Sequence, residues 1–83
     1  MGEEVSDLRQ DLHAELIARF HVDAAVLAGD TELFSGGFLD SLSVLDLVNF
    51  VERKIGRAIP PLDITLENFD TVDRIVCYAA QLQ

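Results

Sequence analysis

Val5, Leu8, Leu12, Leu16 and Phe20 recur at intervals of three and four residues, a spacing that gathers them on one side of an α-helix but on neither face of a strand. Two later segments keep the same rhythm. Val44, Leu47, Val48, Val51 and Ile55 fall within a stripe about 100° wide, and Val72, Ile75, Val76, Ala79 and Leu82 form another. No segment alternates as a strand would. With 83 residues, 49% of them hydrophobic, the chain has enough apolar surface for one small domain. The expected fold is all-α, a small three-to-four-helix bundle spanning residues 1–83.

The breaks between stripes set the boundaries. The first helix is expected from about Glu3 to Phe20, with Asp7, Asp11 and Glu15 off its apolar side. Ala24 to Leu27 suit a turn, and Leu33, Phe34 and Phe38 read as apolar pegs from a loop. Gly36-Gly37 serves as a hinge and, lacking the lysine and hydroxyl residue that would follow, is no P-loop. The second helix is expected from Ser41 to near Ile55, with Gly56 as a left-handed cap and Arg53, Lys54 and Arg57 opposite the negative end of its dipole. Pro60-Pro61 blocks continuation and sets an extended link. Thr65 caps a short turn reaching Phe69, and Asp70 is placed to start the last helix. Cys77, at the edge of that helix's stripe, reads as a small packing residue.

Composition narrows function. Fifteen acids against six bases give a net charge of −9, most of it in residues 1–40, which hold nine acids and two bases. That balance opposes nucleic-acid binding, which needs a basic face to displace counterions. It suits protein partners with basic docking surfaces. No apolar run approaches the roughly 20 residues of a membrane span, and the acidic Met1-Gly2-Glu3-Glu4-Val5 start does not read as a signal peptide; Met1-Gly2 with Ser6 fits a myristoylation start only loosely. The expected location is the cytoplasm. One cysteine excludes an internal disulfide, and His13 and His21 lack companion metal ligands. Neither a metal site nor a catalytic set can be assembled, so an enzyme is not expected.

Asp40-Ser41-Leu42 remains. It follows the glycine hinge and stands at the mouth of the second helix, where orphan N–H groups and the dipole favour a bound anion. A phosphodiester on the Ser41 hydroxyl would be held there in view of solvent; a plain N-cap is the alternative. Leu42 and Leu45 lie off the core stripe, beside Asp46, Asn49 and Arg53, and form a small docking surface.

Gly37-Phe38-Leu39-Asp40-Ser41-Leu42 before a helix, a proline-bearing link, and Glu67-Asn68-Phe69-Asp70-Thr71-Val72 together resemble the acyl carrier protein family, over roughly Val5 to Leu82. The resemblance implies that Ser41 carries 4′-phosphopantetheine, attached by a separate phosphopantetheinyl transferase using Mg²⁺ and coenzyme A, with Asp40 helping the transferase to orient that complex. It implies a non-catalytic carrier of acyl or aminoacyl thioesters; a monomer is expected because no apolar face is left over beyond the docking surface. Leu42 and Leu45 would meet an apolar patch on the loading and transferring enzymes, and Asp46 and Glu52 their basic residues, with Asn49 and Arg53 on the same side. Neither nucleic acid nor membrane is an expected partner.

This sequence departs from carriers of primary fatty acid synthesis. Asp46 and Glu52 balance Arg53 and Lys54 in residues 41–55, Ser43 stands where an acid often follows the motif, and Asn49 replaces an apolar contact. The pattern looks more like stand-alone carriers of polyketide, nonribosomal peptide or aminoacyl transfer systems. Phe50 is placed to narrow any cleft between helices. The competing accounts are a carrier of primary fatty acid synthesis and a helical protein-protein adaptor without a prosthetic group.

Overall fold

The computed structural model describes the backbone of residues 2–82 and the side chains of residues 8–82, so the expectations for the Val5 and Asp7 side chains lie outside the described residues. Four α-helices follow in order: α1 (Gly2–Ala18), α2 (Ser43–Ile55), α3 (Leu66–Phe69) and α4 (Val72–Leu82), with a 3₁₀ turn at Pro61–Asp63 before α3. Among the described residues no strand forms. α1 packs on α2 and α4, and the short α3 packs on α4. The fold is the all-α bundle that the three stripes dictate.

Those stripes meet in one core. Leu12 and Leu16 of α1, Leu47 and Val51 of α2, and Ile75 of α4 are wholly buried. Leu33 joins them from the long loop and Phe69 from α3. Each fully buried side chain of this kind contributes about 1.5–3 kcal/mol through removal of apolar surface from water. Ion pairs staple the outside: Asp11 to Lys54 at 2.8 Å, Arg9 to Asp73 at 2.7 Å.

Several boundaries differ from expectation. α1 stops at Ala18 rather than Phe20; His21 takes a left-handed conformation (φ 61°), and the Val22 N–H donates to the Leu16 carbonyl at 2.9 Å. Phe38 is not a peg: it is exposed, whereas Leu33 is buried and Phe34 half-buried. Pro60 is extended, but the chain from Pro61 tightens into the 3₁₀ turn. The Thr65 hydroxyl makes no cap bond, although its carbonyl accepts from Asn68 and Phe69. Asp70 does not start α4. Thr71 does, its hydroxyl accepting the Arg74 N–H at 3.0 Å. Cys77 faces solvent rather than packing. Gly56 closes α2 in the left-handed conformation as expected, while Arg57 reaches away to donate to the Leu82 carbonyl at the end of α4.

The proline link is fastened to the bundle by Tyr78. Its hydroxyl donates to Asp63 Oδ2, and the Asn68 side-chain amide donates to the Asp63 carbonyl at 2.9 Å. Burial, reinforced by the hydrogen bond to the Asp63 carboxylate and its charge, pushes the Tyr78 hydroxyl up to about 12. An unfolded tyrosine ionises near 10, so this contribution to stability is whole below pH 10 and is lost as the pH rises towards 12. Tyr78 is the only tyrosine in the chain, so ultraviolet titration reads it alone. The native protein is expected to ionise about two units later than the protein in concentrated urea; coincident curves would show that the Asp63 bond is not formed.

Candidate functional site

Asp40, not Ser41, caps α2. One carboxylate oxygen of Asp40, Oδ1, accepts from both the backbone N–H and the hydroxyl of Ser43, each at 3.0 Å, and the Asp40 carbonyl takes a further bond from the Ser43 N–H at 3.1 Å. The hydrogen-bonded helix accordingly begins at Ser43, with Ser41 and Leu42 forming its approach. Asp40 satisfies the donor that a capping Ser41 would have taken. Ser41 is exposed, and among the described residues its hydroxyl forms no hydrogen bond.

The hydroxyl opens onto a groove. Ser41, Asp40 and Ser35 share it with Thr65, and Phe34, Leu39, Val44, Ile64, Leu66 and Phe69 supply its apolar surface, around a volume of about 470 Å³. One wall therefore comes from the loop before α2 and the other from the segment that leads into and through α3. Phe50 is not part of it. That ring is buried on the other side of α2, beside Glu15 and Arg19 and under the Lys54 ammonium at 5.7 Å, so it cannot narrow this groove.

What holds the loop wall is Asp70, which the sequence marked only as a helix start. Its side chain is 2% exposed, yet Oδ1 accepts from the backbone N–H groups of Phe34 at 2.8 Å and Ser35 at 2.9 Å. Its carbonyl accepts from the Leu33 N–H at 2.6 Å. Burial alone would raise this carboxyl; the Ser35 amide and hydroxyl, the Phe34 amide and the Arg74 charge outweigh it and hold Asp70 below the usual carboxylate range. No local pattern announces such a bond, because its partners are 35 and 36 residues away.

The expected docking residues divide. Leu42 is 81% exposed and Leu45 63%, and Asp46, Asn49 and Arg53 are exposed along the same run of α2. Glu52 lines the same surface but is less open. It is half-buried and its Oε2 accepts the Ile59 N–H at 2.7 Å, which ties the end of α2 to the link beyond it. Arg19 is the residue that sequence reasoning missed: it comes from the end of α1 to share this surface with Asp46, Asn49, Glu52 and Arg53.

The family of the phosphopantetheine attachment site matches residues 10–78, most of the chain. The chain belongs to the acyl carrier protein family. Its prosthetic group is thus 4′-phosphopantetheine, and its role that of a carrier. The carrier is also 38% identical over 60 residues to the lincomycin biosynthesis protein LmbN of Streptomyces lincolnensis; the match covers 72% of this chain and 22% of that protein. The site suits the group on its own chemistry. Among the described residues the Ser41 hydroxyl has no hydrogen-bond partner, so it would be free for esterification, and the apolar groove beside it would offer such an arm a surface.

Because Glu52 accepts a bond from a buried segment, Glu52→Ala is expected to lower the carrier's stability by about 1–3 kcal/mol. Urea midpoints measure this. A variant as stable as the parent would show that the Ile59 bond adds nothing to stability.

Proposed function

We propose that Ser41 is the attachment site of 4′-phosphopantetheine, and that the protein is a non-catalytic carrier of acyl or aminoacyl intermediates in a polyketide, nonribosomal peptide or related biosynthesis. When bound, the group supplies a flexible arm whose terminal thiol holds cargo as a thioester. The observation that carries the site is the Ser41 hydroxyl itself, exposed and unbonded while Asp40 does the capping. A serine engaged as a cap would have to surrender that bond before reacting.

The residues divide the work. Ser41 Oγ is the acceptor oxygen, and a phosphopantetheinyl transferase supplies coenzyme A, Mg²⁺ and the base that takes its proton. Asp40 fixes the backbone on which Ser41 rides, and its remaining exposure leaves an anion beside the reacting oxygen for the transferase to use. Leu42 and Leu45 give loading and transferring enzymes an apolar hold, with Asp46, Asn49 and Arg53 setting orientation. The likeness to a lincomycin biosynthesis protein supports a specialised pathway. So does the formal neutrality of residues 41–55, which differs from the acidic second helix of fatty-acid-synthesis carriers. The monomer would act in the cytoplasm; among the described residues no helix is long and apolar enough to cross a membrane.

Intact mass after incubation with coenzyme A, Mg²⁺ and a promiscuous phosphopantetheinyl transferase tests the site. The parent is expected to gain one phosphopantetheinyl group and a folded Ser41→Ala variant none. A modified Ser41→Ala variant would remove Ser41 from the role, and an unmodified folded parent would favour the adaptor reading.

Asp46 tests the docking face through the same enzyme. Asp46→Lys is expected to slow loading by roughly tenfold at low ionic strength and much less at high salt, because the reversal turns a nearly neutral face positive and the repulsion of a basic partner surface is screened by salt. Equal rates for parent and variant in both conditions would place Asp46 outside the interface.

A further inference from the structure

We propose that Asp70 is a positioning residue for the modification of Ser41: from the α3–α4 junction it holds the loop that presents the serine, and so sets the geometry of the reacting hydroxyl. The inference rests on the reading of Ser41 as the attachment site.

Hydrogen bonds and a short stretch of chain connect the two. Asp70 takes the Leu33 N–H on its carbonyl and the Phe34 and Ser35 N–H groups on Oδ1. Leu33 in turn accepts the Leu39 N–H on its own carbonyl, at 2.8 Å, closing the loop around Gly36-Gly37. Gly37 stands at φ 85°, and a Cβ on Gly36 would lie 2.3 Å from the Glu32 carbonyl oxygen, so this closed loop has one backbone path. Leu39 is buried, and the next residue, Asp40, clamps Ser43 at the head of α2. Ser41 thus rides on a short span pinned on one side by Asp70 and on the other by the helix that Asp40 caps. The same carboxylate ties the two walls of the groove, since it bonds Phe34 and Ser35 of the loop wall and follows Phe69 of the opposite wall in the chain.

A buried carboxylate that serves only stability and one that positions Ser41 differ in kinetics. Loss of folded protein lowers the concentration of usable substrate and raises the apparent KM for the carrier. Misplacement of the hydroxyl in a carrier that still docks through Leu42 and Leu45 lowers kcat.

The test is transferase kinetics on Asp70→Ala and Asp70→Asn, with amide hydrogen exchange on the whole chain. Asp70→Ala is expected to lose roughly tenfold in kcat with KM little changed. Asp70→Asn, which keeps an acceptor oxygen, is expected to recover most of that loss. In the parent, the Phe34 and Ser35 amides are expected to exchange slowly despite belonging to an exposed loop, and in Asp70→Ala to lose protection while α4 keeps its own. An unchanged kcat, or an effect confined to KM, overturns the proposal. Fast exchange of the two amides in the parent also overturns it and needs no variant, so the outcome stands even if Asp70→Ala fails to fold. A parent that is not loaded, or a Ser41→Ala variant that is, overturns the Ser41 reading instead, whatever the exchange shows.

Discussion

A single buried carboxylate joins the irregular half of this protein to its helical half. Taking Asp70 out of water costs several kcal/mol for the charged form. Hydrogen bonds to a charged group return about 1.5–3 kcal/mol each, and here the Phe34 and Ser35 amides, the Ser35 hydroxyl and the field of Arg74 all act on it. The sum favours the anion. The arrangement also solves a problem for the loop, whose amides at 34 and 35 would otherwise need water or a turn of their own. The long segment between α1 and α2 makes turns of its own and is tied to α4 where the Asp73 N–H donates to the Gly29 carbonyl, and Asp70 adds the bonds that hold residues 33 to 35.

A second carboxylate completes the presentation of Ser41. A helix needs a partner for its first amides, and a serine at its mouth is among the residues best suited to provide one. Asp40 forecloses that use by reaching Ser43 first with both an amide and a hydroxyl bond. What remains is a hydroxyl at the positive end of a helix, outside the cap and beside an apolar groove. If Ser41 is the attachment site proposed above, capping and chemistry fall to adjacent residues.

The sequence carried most of the architecture because helical stripes are local. Leu12, Leu16, Leu47, Val51 and Ile75 lie where their spacing puts them, and Gly56 ends α2 as its position implies. The errors share another cause. Asp70 and Thr71 both suit a helix start, and nothing nearby reveals that the loop residues Phe34 and Ser35 claim the aspartate and leave the cap to the threonine. Glu52 has the spacing of a surface acid until the chain returns after the helix and offers it the Ile59 amide. Phe38 and Cys77 were judged by residue type and apolar spacing, whereas their exposure is decided by how far the loop and α4 are covered. The groove belongs to the same class, since its walls are separated by much of the chain.

The bond from the Ile59 amide draws Glu52 partly out of the proposed docking face and changes its character. What α2 then presents most openly beside Leu42 and Leu45 is Asp46 and Arg53, about 10 Å apart along a helix that rises 1.5 Å per residue, with the half-buried Glu52 beside Arg53. Arg19 adds a second positive group near the Arg53 end, already half-satisfied by Glu15 at 3.2 Å. Opposite charges at that spacing largely cancel beyond a Debye length of about 8–10 Å, so this face exerts little pull at a distance. The long-range attraction of a chain with net charge −9 comes from elsewhere on its surface and is not directed at α2. Recognition at this face therefore depends on contact: the two leucines supply the area, and the Asp46–Arg53 polarity admits a partner in one orientation along the helix and opposes the reverse.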